Sequence, residues 1–408
     1  MPYAERHYPF KNEKEFLKSF PADYISEYTG QVRAWFYVLH VLSTALFNSH
    51  CFKNVVVSGV IMGTDGRKMS KSFHNYPDPR EVIEKYGGDA LRLYLMGSST
   101  MVGQDMNVSE EAIKEQVKKI MLILWNCYNY LVTFANANKF TVSKDGEFTP
   151  VNIMDRWLFS KVNNFLKEFT GFMDNYQIPE ATRLLPKFLD DLSRWYIRRS
   201  RERFERGDTE ALNTLYQTLL LLVKIIAPLT PFVAESIYQN LCQDKESVHL
   251  ELWPELKQGL IDEKLEKEME IARQICEQGH AIRKEKGIKL RQPLAGATIV
   301  GIKISEEMKE IIKGELNIKR LEIGDWRLEI GDWKLEMDTE LTLELREEGE
   351  AREIVRQIQE ARKGAKCDLK SKVIVTFPQW PVKWENYIKE KTLSAQINKG
   401  VALTVCEI

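Results

Sequence analysis

No two of the six cysteines form a C-x-x-C pair. Cys51, Cys127, Cys242, Cys276, Cys367 and Cys406 are scattered along 408 residues. That pattern excludes a zinc knuckle built from close cysteine pairs and fits free thiols in a reducing cytoplasm. No apolar run approaches the roughly 20 residues a membrane span needs, and the opening MPYAERHYPF lacks the apolar core of a signal peptide. The chain reads as soluble and cytosolic, without membrane contact. An excess of either charge is also missing, with 58 Lys+Arg against 59 Asp+Glu. Any nucleic-acid surface must therefore be a local patch. The six histidines (His7, His40, His50, His74, His249, His280) have no metal-like or general-base spacing, so no metal ligand is assigned.

The length calls for two or three domains. From Tyr24 to Phe47, Val32, Trp35, Phe36, Leu39 and Leu42 recur at helical spacing. NVVVSGVIM (54–62) then reads as a short buried strand, followed by the turn-forming GTDGRKMSKS. Asp78-Pro79 suits a helix start, and Gly87-Gly88 interrupts that helix before a second begins near Asp89. This order predicts the closing half of a nucleotide-binding α/β sheet over 1–108. Residues 109–290 are amphipathic helix with short breaks, a helical bundle. Residues 291–408 alternate β-like runs with helices and predict a small α+β domain. Within it LEIGDWR (321–327) is followed at once by LEIGDWK (328–334). Two copies do not make a solenoid; a hairpin or a lengthened strand is the expectation.

Two segments carry chemistry. Lys68-Met69-Ser70-Lys71-Ser72 follows Gly66 and Arg67 and precedes Asn75. Two ammonium groups three positions apart, on a glycine-flanked loop after a strand, suit a triphosphate. Mobile lysines can close on negative charge as it develops on a departing pyrophosphate. A solvated basic turn is the alternative. The second segment, from Arg194 to Arg206, holds Arg194, Arg198, Arg199, Arg201, Arg203 and Arg206 against Glu202 and Glu205. Such a helix can neutralise RNA phosphates and stack on bases, or can simply pair with neighbouring carboxylates.

The five-residue loop resembles the KMSKS motif of class I aminoacyl-tRNA synthetases. FPADYISEYTGQVRAWFYVLHVLSTALF, KMSKSFHNYPDPREVIEKYGGDALRLYL, DDLSRWYIRRSRERF and GIKLRQPLA resemble the isoleucyl branch. The resemblance implies a partial Rossmann-type catalytic domain, a helical anticodon-binding bundle and a C-terminal α+β domain. It implies that Lys68 and Lys71 are catalytic, that Lys68 to Ser72 bind ATP, and that magnesium accompanies ATP with no zinc site in this chain. Glu27, Gln31 and Trp35 match aminoacyl-adenylate contacts. Arg194, Arg198, Arg199, Arg201 and Arg203 fall in the tRNA-binding bundle. Partners implied are isoleucine and tRNA(Ile), with valine a lesser alternative. Tyr28, Gly30 and Ala34 stand where the family more often has glycine, aspartate and glycine.

No pair of histidines stands at the spacing of the family's H-I-G-H motif. The expectation is therefore a C-terminal portion without the first half of the sheet or the editing module, inactive alone. It is either a fragment or one subunit of a split enzyme that needs an N-terminal half. A non-catalytic tRNA-binding protein is the alternative from another class.

Overall fold

The computed structural model describes residues 2–69, 72–142, 148–242, 246–324, 333–368 and 370–408. They condense into two units, Met1–Phe134 with Leu158–Ile261, and Ala135–Trp157 with Asp262–Ile408.

In the first unit, short helices α1 (Pro2–Glu5) and α2 (Glu13–Lys18) precede strand β1 (Ala22–Tyr28). A 3-10 turn at Thr29–Arg33, helix α3 (Trp35–Phe47) and strand β2 (Phe52–Ser58) come next. β1 and β2 pair in parallel, with Glu27 opposite Val57. The helix expected from Tyr24 thus begins only at Trp35. Strand pairing to β2 satisfies the backbone that a helix would otherwise satisfy. Ile25 is the one buried residue of β1 and joins Tyr3, Phe16, Phe36, Leu39 and Cys51 in a single cluster. Val32 and Trp35, counted in the apolar stripe, stay 52% and 40% exposed.

The strand expected over 54–62 is broken. β3 (Ile61–Met62) leaves β2 to pair in parallel with β4 (Met106–Asn107). Gly59 makes the break, because a Cβ there would lie 2.0 Å from the Gln104 carbonyl oxygen. Helices α4 (Pro79–Tyr86) and α5 (Gly88–Met96) lie between β3 and β4. As the sequence predicts, Asp78 caps α4, its carboxylate accepting from the Arg80 amide at 2.8 Å. Gly87, at φ 85°, separates the two helices.

Next, α6 (Glu110–Gln116) passes through a π-helical turn at Val117–Met121 into α7 (Leu122–Ala137), and α8 (Ile153–Asp174) and α9 (Ile178–Asp190) come after it. A π-helical stretch at Asp191–Ile197, then α10 (Arg201–Glu205), α11 (Thr209–Ile226) and α12 (Pro231–Leu241), complete the bundle. Leu185, Leu189, Leu215, Leu219 and Leu222 are fully buried within it. Asp89 on α5 ties the α/β region to the bundle. Its carboxylate accepts from the Phe232 and Val233 amides at 3.3 and 2.8 Å and caps α12. Burial raises its carboxyl above the usual carboxylate range, against those two hydrogen bonds. The boundary expected at 108/109 is therefore not a border between compact units.

The second unit is built from one pattern used twice. α13 (Glu263–Glu285) leads to β5 (Leu294–Val300), α14 (Glu306–Leu316), β6 (Ile318–Ile323) and β7 (Lys334–Met337). α15 (Leu343–Gly364) leads to β8 (Val373–Phe377), α16 (Glu385–Thr392), β9 (Ser394–Lys399) and β10 (Thr404–Glu407). The sheets run β6-β5-β7 and β9-β8-β10. In both, the central strand is parallel to one neighbour and antiparallel to the other. Arg283, near the end of α13, donates to the carbonyls of Lys289, Gln292, Leu316 and Asn317. Arg362, at the same place in α15, donates to those of Ser371, Thr392 and Asp368. Both arginines are buried, and burial lowers Arg283 from its usual value to about 10. Ala272-Arg273, Ile275, Gln278 and Arg283-Lys284 recur at equal spacing as Ala351-Arg352, Ile354, Gln357 and Arg362-Lys363.

This pattern explains why the boundary expected at 290/291 moves to Asp262. α13 supplies the first helix of the first copy and does not close the bundle. The LEIGDWR/LEIGDWK tandem lies in the first copy, from the end of β6 to the start of β7. Residues 325–332 within it are outside the described residues. β6 and β7 do not make the expected hairpin, because β5 lies between them.

Candidate active-site loop and arginine face

The loop carrying Lys68 hangs from β3. The Gly63 amide donates to the Arg67 carbonyl at 2.8 Å, and Lys68 forms an antiparallel bridge with Met62. Gly66 turns the chain at φ 76°, its amide donating to the Gly63 carbonyl. Asn75 is 7% exposed and acts as the bolt. Its side-chain amide donates to the Asp65 carboxylate at 2.9 Å and reaches the Arg67 and Lys68 carbonyls at 3.4 and 3.3 Å. Its own carbonyl accepts from the Thr64 amide at 2.8 Å. A Cβ on Gly63 would fall 2.4 Å from Asn75, so only glycine fits there. Asp65 also accepts from the Arg67 amide and guanidinium at 3.0 and 2.8 Å. The Asn75 hydrogen bond, aided by Arg67, holds its carboxyl down at about 2. The Arg67 guanidinium lies 5.0 Å over the Phe73 ring.

Lys68 is exposed, and among the described residues no carboxylate pairs with its ammonium. Met69 is half-buried and Ser72 exposed. Ser70 and Lys71 lie outside the described residues. Asp65 was not singled out by sequence reasoning, although an aspartate ten positions before an asparagine across a glycine turn is the available signal.

The three adenylate candidates sit where β1 passes into α3. Glu27 is exposed, and its carboxylate accepts from the Tyr28 amide at 3.0 Å. The Gln31 side-chain oxygen accepts from the Trp35 amide at 3.1 Å, a local cap for the first turn of α3. Trp35 packs beside Phe36 with ring centroids 5.8 Å apart. Gly30 and Tyr28 prove to be partners, since a Cβ on Gly30 would meet the Tyr28 ring at 2.5 Å. The unusual glycine therefore makes room for the unusual tyrosine. A cavity of about 460 Å³ beside β2, lined by Asn54, Val55, Val57, Met101, Val102 and Tyr176, was not foreseen.

The arginine segment is less uniform than its sequence. Arg194 pairs with Asp190 at 3.1 Å and Arg201 with Glu205 at 2.8 Å, and both remain exposed. Arg198 is exposed, and its Nε donates to the Arg194 carbonyl at 3.0 Å. Arg199 is only half-exposed. Arg203 is turned inward, 20% exposed, and binds Asp208 at 2.7 Å, the residue that caps α11. Arg203 thus belongs to the scaffold, and Arg194, Arg198 and Arg201 form the outward face.

A KMSKS-type loop hung from a short parallel strand, with a helical bundle after it, defines a class of nucleotide-using enzymes, and sequence comparison agrees. Residues 1–109 match the family described as tRNA synthetases class I (I, L, M and V), and residues 155–299 match the anticodon-binding domain of tRNA ligase. The chain belongs to the class I aminoacyl-tRNA synthetases. It is 42% identical over 335 residues to the isoleucine–tRNA ligase of Protochlamydia amoebophila, covering 79% of this chain and 32% of that relative. The Clostridium novyi isoleucine–tRNA ligase is 42% identical over 334 residues, covering 79% of this chain and 32% of the relative. The isoleucine–tRNA ligase of Dehalococcoides mccartyi (strain CBDB1) is 37% identical over 437 residues, covering 98% of this chain and 43% of the relative. The chain thus spans less than half the length of these relatives. Among the described residues no helix is long and apolar enough to cross a membrane.

Proposed function

We propose that this chain supplies the pyrophosphate-handling loop and the tRNA-binding bundle of a cytoplasmic isoleucine–tRNA ligase. In that reaction the isoleucine carboxylate attacks the α-phosphorus of ATP, and pyrophosphate leaves. A terminal ribose hydroxyl of tRNA(Ile) then takes the acyl group from the adenylate, releasing AMP. Lys68, with Lys71, neutralises charge growing on the leaving pyrophosphate. The observation that carries this reading is the anchoring of the loop. Asn75 and Asp65 hold its base while the Lys68 ammonium is left unpaired among the described residues. Glu27 accepts from ribose hydroxyls or the substrate ammonium, and the Trp35 face packs the branched side chain. Magnesium in this reading arrives on the ATP phosphates. Among the described residues no group of three His, Cys, Asp or Glu could cage an ion. The exposed arginines Arg194, Arg198 and Arg201 contact tRNA phosphates.

Isoleucine-dependent ATP–pyrophosphate exchange tests the proposal. The chain is assayed alone and together with a polypeptide covering the remainder of a relative's catalytic domain, with valine as the competing substrate. Lys68→Ala should slow exchange by ~100-fold, the scale of a lost charged transition-state contact. An unaltered rate would reject the assignment. Activity of the chain alone would remove any need for a second subunit.

A further inference from the structure

The loop between α13 and β5, residues 286–293, is held from inside and charged on the outside. Arg283 grips the carbonyls of Lys289 and Gln292, and the Asn317 side-chain amide donates to the Leu290 carbonyl at 3.0 Å. Gln292 is fixed in turn, its amide donating to the carbonyls of Leu345 at 2.5 Å and Pro293 at 3.1 Å. Gly349 gives it room, since a Cβ there would lie 2.2 Å from the Gln292 side-chain oxygen. With its backbone oxygens turned inward, the loop presents Lys289, Leu290 and Arg291 to solvent. They border a cavity of about 320 Å³ that Arg346, Glu350 and Glu353 close from α15. Among the described residues Lys289 and Arg346 make no salt bridge, and Arg291 meets Glu353 only at 3.6 Å.

We infer that this cavity is a second RNA contact, one that takes a single-stranded stretch of tRNA. The inference rests on the ligase reading above. Three cations supply phosphate contacts, and the arginine planes can stack on an unpaired base. The two carboxylates accept from base amino groups or a ribose 2′-hydroxyl, which free phosphate does not offer. The volume lies at the lower end of ligand pockets, about 300 Å³ upward, so it admits one nucleotide and not a duplex. The second copy of the fold is the internal control. There Arg362 holds the equivalent loop by the carbonyls of Asp368 and Ser371. Its outward residues are Asp368, Lys370 and Ser371, and Lys370 is engaged with Asn138 at 2.9 Å. The same scaffold is present twice, and only the first copy is charged for RNA.

Filter binding of the full chain to a tRNA transcript tests this, with salt titration. Lys289→Ala/Arg291→Ala/Arg346→Ala should weaken binding at least ~10-fold and flatten the salt slope by roughly 2, about 0.7 for each lost single-strand phosphate contact. Lys370→Ala should change affinity less than ~2-fold, and Lys289→Arg/Arg291→Lys should retain it. These side chains are exposed, so unchanged thermal unfolding will verify that the triple variant is folded. If the triple variant binds tRNA as tightly as the parent, the second contact is wrong while the ligase reading stands. If the parent chain binds no tRNA, both fail.

Discussion

The Asn75 side-chain amide donates to the Asp65 carboxylate at 2.9 Å, and the same nitrogen reaches the Lys68 carbonyl at 3.3 Å. One nitrogen thus couples an ionised aspartate to the backbone of the candidate catalytic lysine. With the Asp65 carboxyl at about 2, below its ordinary value of 3.8, the ionised loop base is fully favoured above pH 3.8. That advantage is lost as pH falls through about 2. Asn75→Ala removes the largest cause of the shift. The Asp65 titration, monitored by NMR, should move up towards 3.8, and pyrophosphate exchange should drop by about 10-fold because the lysine is no longer positioned. An unmoved titration would show that Asn75 does not hold the carboxylate.

Gly63 and Gly66 serve the loop in different ways, and alanine at each should separate them. At Gly63 the added methyl meets the Asn75 carbonyl and side chain at 2.4 Å, so the bolt itself must shift. Overpacking of this kind costs roughly 1–3 kcal/mol, and the Asp65 titration should rise as it does in Asn75→Ala. At Gly66 the nearest atom is 3.9 Å away, but φ is 76°. The penalty there is backbone strain of about 1 kcal/mol, with Asp65 titrating as in the parent. Equal effects of the two variants on Asp65 would contradict the steric argument.

Much of the site was legible because its chemistry is local. The lysine loop, the Asp78 cap and the Gly87 break are set by neighbours within a few positions. What needed the fold was set by distant partners. β1 reads as helix because Tyr24 to Tyr28 adjoin a strongly helical stretch, and only pairing with β2 makes it a strand. Arg203 looked like part of an RNA face, but Asp208 draws it inward. The duplicated architecture of the second unit was hidden because the shared residues, such as Arg283 and Arg362, are few and far apart. They matter for the carbonyls they hold and not for any periodic pattern.

Those two arginines predict a matched pair of stability losses. Arg283→Ala strips donors from the carbonyls of Lys289, Gln292, Leu316 and Asn317, and Arg362→Ala from those of Ser371, Thr392 and Asp368. Each should destabilise the second unit by about 3 kcal/mol, since each buried carbonyl left without a partner costs about 1–3 kcal/mol and some gain water. Lysine keeps the charge but not the planar fork, so Arg283→Lys should recover only part of the loss. Urea unfolding of the full chain measures both. A change within 0.5 kcal/mol, about the range for an ordinary surface substitution, would remove these arginines from the scaffold.

The arginine helix gives the sharpest division between scaffold and surface. Arg203 is 20% exposed and bound to Asp208, whose carboxylate also accepts from the Glu210 and Ala211 amides at the start of α11. Arg203→Ala frees a partly buried carboxylate and disturbs that cap, at a cost of roughly 1–2 kcal/mol. Its effect on tRNA affinity should be small once the protein is folded. Arg198→Ala combined with Arg194→Ala changes only exposed side chains, with one surface pair to Asp190 worth at most about 1 kcal/mol. That variant should unfold like the parent but bind tRNA several-fold more weakly, with a shallower dependence on salt. Thermal unfolding and filter binding on the same two preparations decide the matter. If Arg203→Ala loses tRNA while Arg194→Ala/Arg198→Ala does not, the outward face has been drawn on the wrong side of the helix.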